Sequence, residues 1–173
     1  MPAQPRPRPA AAAPFRVPPR PADAPEVHWT LERANAALPY VRRIAEDVVR
    51  DYGRWRTRVK ALDTGRAGGV PLEEETRVRL QREVRLLAAD LRSHLAELGA
   101  LGLDCKSLDE GLIDFPSVVD GVPAFLCWKV GEARVEWWHP RDAGFAGRQP
   151  VAGAGVAEAG STADATGGEG EAC

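Results

Sequence analysis

The chain has 173 residues, with 23 lysines and arginines against 25 aspartates and glutamates and a formal net charge of −2. That length suits one domain with room for tails, and the charge balance excludes the basic excess of a dedicated nucleic-acid binder. Three cysteines, an odd number with no Cys-x-x-Cys spacing, exclude a disulfide framework and a structural zinc motif and suit a cytoplasmic protein.

Residues 1–26 read as a disordered tail rich in Pro, Arg and Ala. The first 25 hold nine of the fifteen prolines and four arginines, with Phe15 as their only aromatic. Such a segment buries too little apolar surface to offset its ordering entropy. It lacks the apolar region of a secretory signal, and no stretch is long enough for a membrane helix. Only Lys60, Lys106 and Lys129 are lysines, an arginine bias that fits a GC-rich genome better than phosphate recognition.

Thr30 is a good N-cap for a short helix over Leu31–Leu38, with Trp29 as a hydrophobic staple. Pro39 suits the first turn of a second, longer helix. There Val41, Ile44, Val48, Tyr52, Trp55, Val59 and Leu62 recur at spacings of three and four, a coiled-coil-like stripe. The stretch DTGRAGGV (63–70) breaks the pattern, and Pro71 opens the next helix. Its stripe is Leu80, Val84, Leu87, Leu91, Leu95 and Leu98, ended by Gly99 and Gly102. The expectation is an antiparallel helical hairpin over 39–101. Glu46–Arg50, Glu73–Arg77 and Glu75–Arg79 lace its outer face, and His94 sits at the stripe edge as a structural side chain.

After Gly102 the hydrophobic period becomes two. Asp120-Gly121 signals a type I′ hairpin, and Gly131-Glu132 a type II′ one. With two-residue loops, paired residues sum to 241 and 263, giving a three-stranded antiparallel meander over 112–139. One face then holds Ile113, Phe115, Ala124, Leu126, Trp128, Val135, Trp137 and His139 and packs on the hairpin. The other holds Leu112, Asp114, Phe125, Cys127, Lys129, Arg134, Glu136 and Trp138. Asp114, Cys127 and Glu136 form one polar row, and Phe125 and Trp138 the next. This register sets Lys129 against Arg134, an unfavourable like-charge pair unless the second turn is longer.

The fold class expected is therefore α+β: a long helical hairpin packed on a small meander, as a single domain over 27–151. A glycine-rich segment (140–151) closes it, and an acidic Gly/Ala-rich tail (152–173) with four acidic and no basic residues follows. In the closing segment Gly144 and Gly147 permit positive φ, and backbone amides there can form an anion nest to which Arg148 adds a fork. The competing structural reading has Phe145 plugging the core and Arg148 pairing an internal carboxylate. His139 with Asp142 can form an acid–base pair but needs a third partner, for which His28 is available. The row Asp114, Cys127, Glu136 offers metal or acid–base chemistry, but it holds no histidine, and its acids oppose a thiolate. No catalytic residue, resident metal or cofactor is assigned, since no phosphate loop, nucleophile elbow or zinc motif occurs.

Several stretches resemble a bacterial family known only as domain of unknown function 2203. These are Trp29–Pro39, Gly111–Pro116, Leu126–Glu132, and Trp138-His139 followed by Asp142–Pro150. Where the family opening usually has a second Glu this chain has Arg33, which removes a full capping box. The resemblance covers about 28–151 and implies no reaction. The sequence thus reads as a non-enzymatic module that self-associates or binds a protein through the helical hairpin or the Phe125/Trp138 face. The alternative is a binder of a small anion at His139, Asp142, Gly144, Gly147 and Arg148. A third reading is an enzyme using His139, Asp142 and the acidic row.

Overall fold

The computed structural model describes Phe15, residues 27–67 and residues 72–156. The expectations for most of the head, for the 68–71 loop with Pro71, and for the tail from 157 on lie outside the described residues. A helix α1 (Leu31–Ala67) and a helix α2 (Glu74–Ala100) form the hairpin. They pack on a five-stranded antiparallel sheet, not three-stranded, whose strands stand in chain order. The strands are β1 (Asp104–Ser107), β2 (Leu112–Val119), β3 (Val122–Lys129), β4 (Trp137–Pro140) and β5 (Gln149–Pro150).

Thr30 caps α1 as its residue type suggests, accepting a hydrogen bond from the Arg33 amide at 3.1 Å. The expected break at Pro39 does not occur, and one helix of 37 residues runs through it. A proline inside a helix removes one backbone bond and costs about 3 kcal/mol. Burial on both sides of Pro39 offsets that cost, since Ala34, Leu38, Val41, Ile44 and Ala45 all lie in the main core. Pro39 itself is exposed. The helix also runs past Asp63, where the glycine-rich stretch suggested an end, and reaches Ala67.

The core has two parts. The larger joins Trp29, Leu38, Val41 and Ile44 to Ile113, Phe115, Leu126 and Trp128 of the sheet. The smaller joins Val48 to Leu91, Leu95 and Leu108, and Phe15 of the N-terminal segment is buried in it. Phe15 meets the rings of Tyr52 and Trp55 edge-on at 6.3 and 5.0 Å. At the other end, 152–156 continue the fold beyond residue 151. Val156 bridges Val119, and the Asp120 amide donates to the Gly155 carbonyl at 2.9 Å.

Between the helices the buried carboxylate of Asp51 accepts hydrogen bonds from Arg50 and lies 3.4 Å from His94. Burial raises its pKa, but Arg50 and His94 together carry it below the ordinary value. The outer charges pair one residue off the expected spacing: Arg50 with Asp47, and Arg77 with Glu74.

The β2–β3 hairpin has the expected register, with pairs such as Asp114↔Cys127 and Phe115↔Leu126. Asp120 and Gly121 take the positive φ values, 51° and 77°, that a type I′ turn needs. The β3–β4 register differs by one residue: Phe125 pairs with His139, Leu126 with Trp138 and Cys127 with Trp137. Instead of a two-residue turn, residues 130–136 form a loop pinned to its neighbours. The Glu132 amide closes a turn on the Lys129 carbonyl at 3.0 Å, with Gly131 at φ 99°. Trp128 Nε1 donates to the Glu132 carbonyl at 3.0 Å. Arg42 donates to the carbonyls of Glu132 and Ala133. Asn35 of α1 then treats Val135 as a strand partner, accepting from its amide at 2.9 Å and donating to its carbonyl at 3.3 Å.

A one-residue slip exchanges the faces of a strand. Trp138 therefore packs against the main core, while Trp137 and His139 join the face of Phe125 and Cys127. The expected Phe125/Trp138 face and the core-facing His139 are both corrected. The Lys129–Arg134 clash is avoided, because Arg134 lies in the loop outside β4.

Candidate functional site

The slip assembles the most chemical part of the molecule. Across the sheet face turned away from the main core, one row runs Asp104, Asp114, Cys127 and Trp137. Trp137, not Glu136, ends that row. Glu136 is exposed and takes part through its backbone carbonyl, which accepts the Val151 amide. The next row holds Phe125 and His139. Asp114, Cys127 and His139 are buried to 1, 0 and 2% exposure. One ligand atom from each lies within 4.8 Å of the other two.

The bonding of His139 defines its tautomer. Nδ1 lies 2.8 Å from the carbonyl oxygen of Pro140. A carbonyl can only accept, so Nδ1 carries the hydrogen. Nε2 then faces Asp114 Oδ1 at 3.3 Å. Burial pushes the Asp114 carboxyl above its usual range, against the opposing effects of His139, the Cys127 thiol and Lys106. Burial likewise pushes Cys127 up to about 12, with Asp114 adding to the rise. Cys105, in the adjoining strand, is raised to about 12 by burial and by Asp104. Neither thiol is an activated nucleophile.

Cations and rings close over this face. Lys106 and Arg141 lie 5.6 and 5.7 Å from the Phe125 ring. The Arg148 guanidinium stands between Trp137 and Phe145, at 5.3 and 4.9 Å from their centroids. Arg148 pairs internally: its two terminal nitrogens meet the two oxygens of Glu132 at 2.8 Å each. One of them also donates to the Cys127 carbonyl at 3.1 Å. Burial raises Glu132, but the bonds from Arg148 and from the Lys129 amide hold it below the usual carboxylate range. The Arg148 fork is thereby filled from within, and its buried Nε has no hydrogen-bond partner among the described residues.

The other residues of the closing segment are dispersed. Gly144 has φ 57° and starts a short 3₁₀ turn over Phe145–Gly147. The amides of Ala143, Gly147 and Arg148 donate to backbone carbonyls of the same loop. Gly147 is small for packing, since a Cβ there would sit 2.5 Å from that of Ala143. Asp142 and His28 are exposed and do not belong to the buried group of Asp114, Cys127 and His139. Phe145 is 43% exposed and covers Arg148 instead of plugging the core.

The sequence reading names Asp114, Cys127 and His139 as candidates but sets His139 on the opposite face, and it does not name Glu132 as the partner of Arg148. One signal for the first was available: the like-charge pair that the shorter turn requires.

A second feature lies at the sheet-free end of the hairpin. There Val59 and Leu62 of α1 and Leu80, Val84 and Leu87 of α2 continue the apolar stripe but are only partly buried. An open depression along α1 is lined by Trp55, Val59 and Lys60.

Residues 28–151 match the family described as an uncharacterized conserved protein, DUF2203, and the chain belongs to that family. No curated protein and no solved structure matches the chain.

Proposed function

We infer that the protein is a self-association module whose helical hairpin pairs with a second copy of the same chain. The observation that supports this reading is the length of the hairpin relative to what covers it. α1 spans about 55 Å at 1.5 Å per residue, whereas the eight-residue strands span about 26 Å. Among the described residues the far end is a pair of helices with no sheet against it, and two helices alone leave half of an apolar stripe against water. A twofold pairing of two such ends makes a four-helix, coiled-coil-like bundle that buries Val59, Leu62, Leu80, Val84 and Leu87. No helix among the described residues is long and apolar enough to cross a membrane. The free thiols of Cys105 and Cys127 fit a cytoplasmic setting.

The double substitution Val59→Glu, Val84→Glu tests the reading in the full chain. Sedimentation equilibrium is expected to show a dimer for the parent and at least about a tenfold weaker association for the variant. Far-UV circular dichroism should be unchanged. Equal masses for the two proteins would overturn the reading.

A further inference from the structure

We propose that Asp114, Cys127 and His139 form a binding site for one divalent transition-metal ion of the zinc class. The site is independent of the hairpin and of the association inferred for it.

Geometry carries the argument first. With Nδ1 of His139 donating to the Pro140 carbonyl, Nε2 of the neutral ring turns a lone pair toward an Asp114 oxygen 3.3 Å away. Two lone-pair atoms face to face need a cation between them, either a proton or a metal ion. At 3.3 Å the separation is long for a hydrogen bond between nitrogen and oxygen, which centres near 2.9 Å. It matches the edge of a tetrahedron whose metal–nitrogen and metal–oxygen bonds are about 2.0–2.1 Å, namely about 3.3 Å. The Cys127 sulfur belongs to the same group, all ligand atoms lying within 4.8 Å. A metal-bound sulfur needs about 3.6 Å to its neighbours, so about one ångström of side-chain movement completes the set.

Charge carries it second. A carboxylate, a thiolate and a neutral imidazole sum to −2, which a divalent ion neutralises within a site of at most 2% exposure. Binding displaces two protons, one from the thiol and one shared by Asp114 and His139. Two of the three cations over this face are already balanced: Arg148 pairs with Glu132 and Lys106 with Asp104. The donor set of sulfur, nitrogen and oxygen favours zinc over calcium or magnesium. Pro140 supplies the outer hydrogen bond that metal-bound histidines almost always make. The ion would tie β2, β3 and β4 together at the centre of the sheet.

The test uses the full chain, stripped with a chelator, confirmed folded by circular dichroism and titrated with Co(II), whose thiolate complexes absorb in the near ultraviolet. One equivalent should bind with a charge-transfer band, and Zn(II) should displace it. Cys105→Ser and Cys173→Ser should keep the band and Cys127→Ser should lose it, while His139→Gln should weaken binding at least about tenfold. A folded parent chain that takes up neither ion, or a band that survives Cys127→Ser, would overturn the proposal.

Discussion

Gly111 sits at φ +60° before β2, and a Cβ there would lie 2.4 Å from Val130 Cγ2 and 3.0 Å from Val49 Cγ2. Left-handed backbone costs an L-residue about 1–2 kcal/mol, and displacing two packed valines adds to it. Gly111→Ala should lower the urea-unfolding free energy by about 2–4 kcal/mol. Gly53, inside α1 with nothing within 4 Å of a Cβ, is the control. Gly53→Ala should raise stability by about 0.5–1 kcal/mol, and equal effects at the two sites would refute the distinction. Glu132 makes a pH prediction. Arg148 holds its folded pKa below the unfolded one, so its contribution is present above about pH 4.3 and is lost as pH falls through the lower folded value. The thermal midpoints of the parent and Glu132→Gln should therefore differ most at pH 7, and the gap should narrow as pH falls below about 4.3. A gap that stays constant as pH falls would refute the pairing as its cause. The sequence showed that Arg148 had a choice between an internal carboxylate and an external anion. It does not point to Glu132, which lies sixteen positions away and reads from the sequence as a turn residue.

At the scale of elements, what was legible was what local chemistry decides. Asp120-Gly121 specifies its turn through two residues that tolerate positive φ, and the β2–β3 register follows from that turn alone. The helical stripes were legible for the same reason, because Leu91, Leu95 and Leu98 repeat at helical spacing and are buried. The β3–β4 register was not, because partners distant in sequence determine it. Asn35, one hundred positions away, holds both backbone groups of Val135. Pro39 is the same lesson in a helix, where tertiary burial overrides a local preference. Asn35→Ala would leave the amide and carbonyl of the buried Val135 without partners. The expected loss is about 2–6 kcal/mol, at about 1–3 kcal/mol for each of the two buried groups left unpaired. Native-state hydrogen exchange at the Val135 amide should accelerate with it. Unchanged exchange there would show that the loop keeps β4 in register without help from α1.

At the scale of the whole molecule, the sheet, the closing segment and the first half of the hairpin satisfy one another, whereas the far half of the hairpin does not. Phe15 already covers part of that stripe, over Tyr52 and Trp55, and no sequence period announced it because a single aromatic in a proline-rich head has none. Among the described residues the stripe beyond Trp55 is only partly buried, and it is there that we propose a second copy packs. A dimer makes stability depend on concentration, so the thermal midpoint should rise with dilution reversed. The most direct measurement is the mass of the full chain by light scattering over a range of concentrations. The account predicts about 37 kDa, twice the 18.7 kDa of one chain, at tens of micromolar, falling toward the monomer value on dilution. A mass of one chain throughout that range would contradict it.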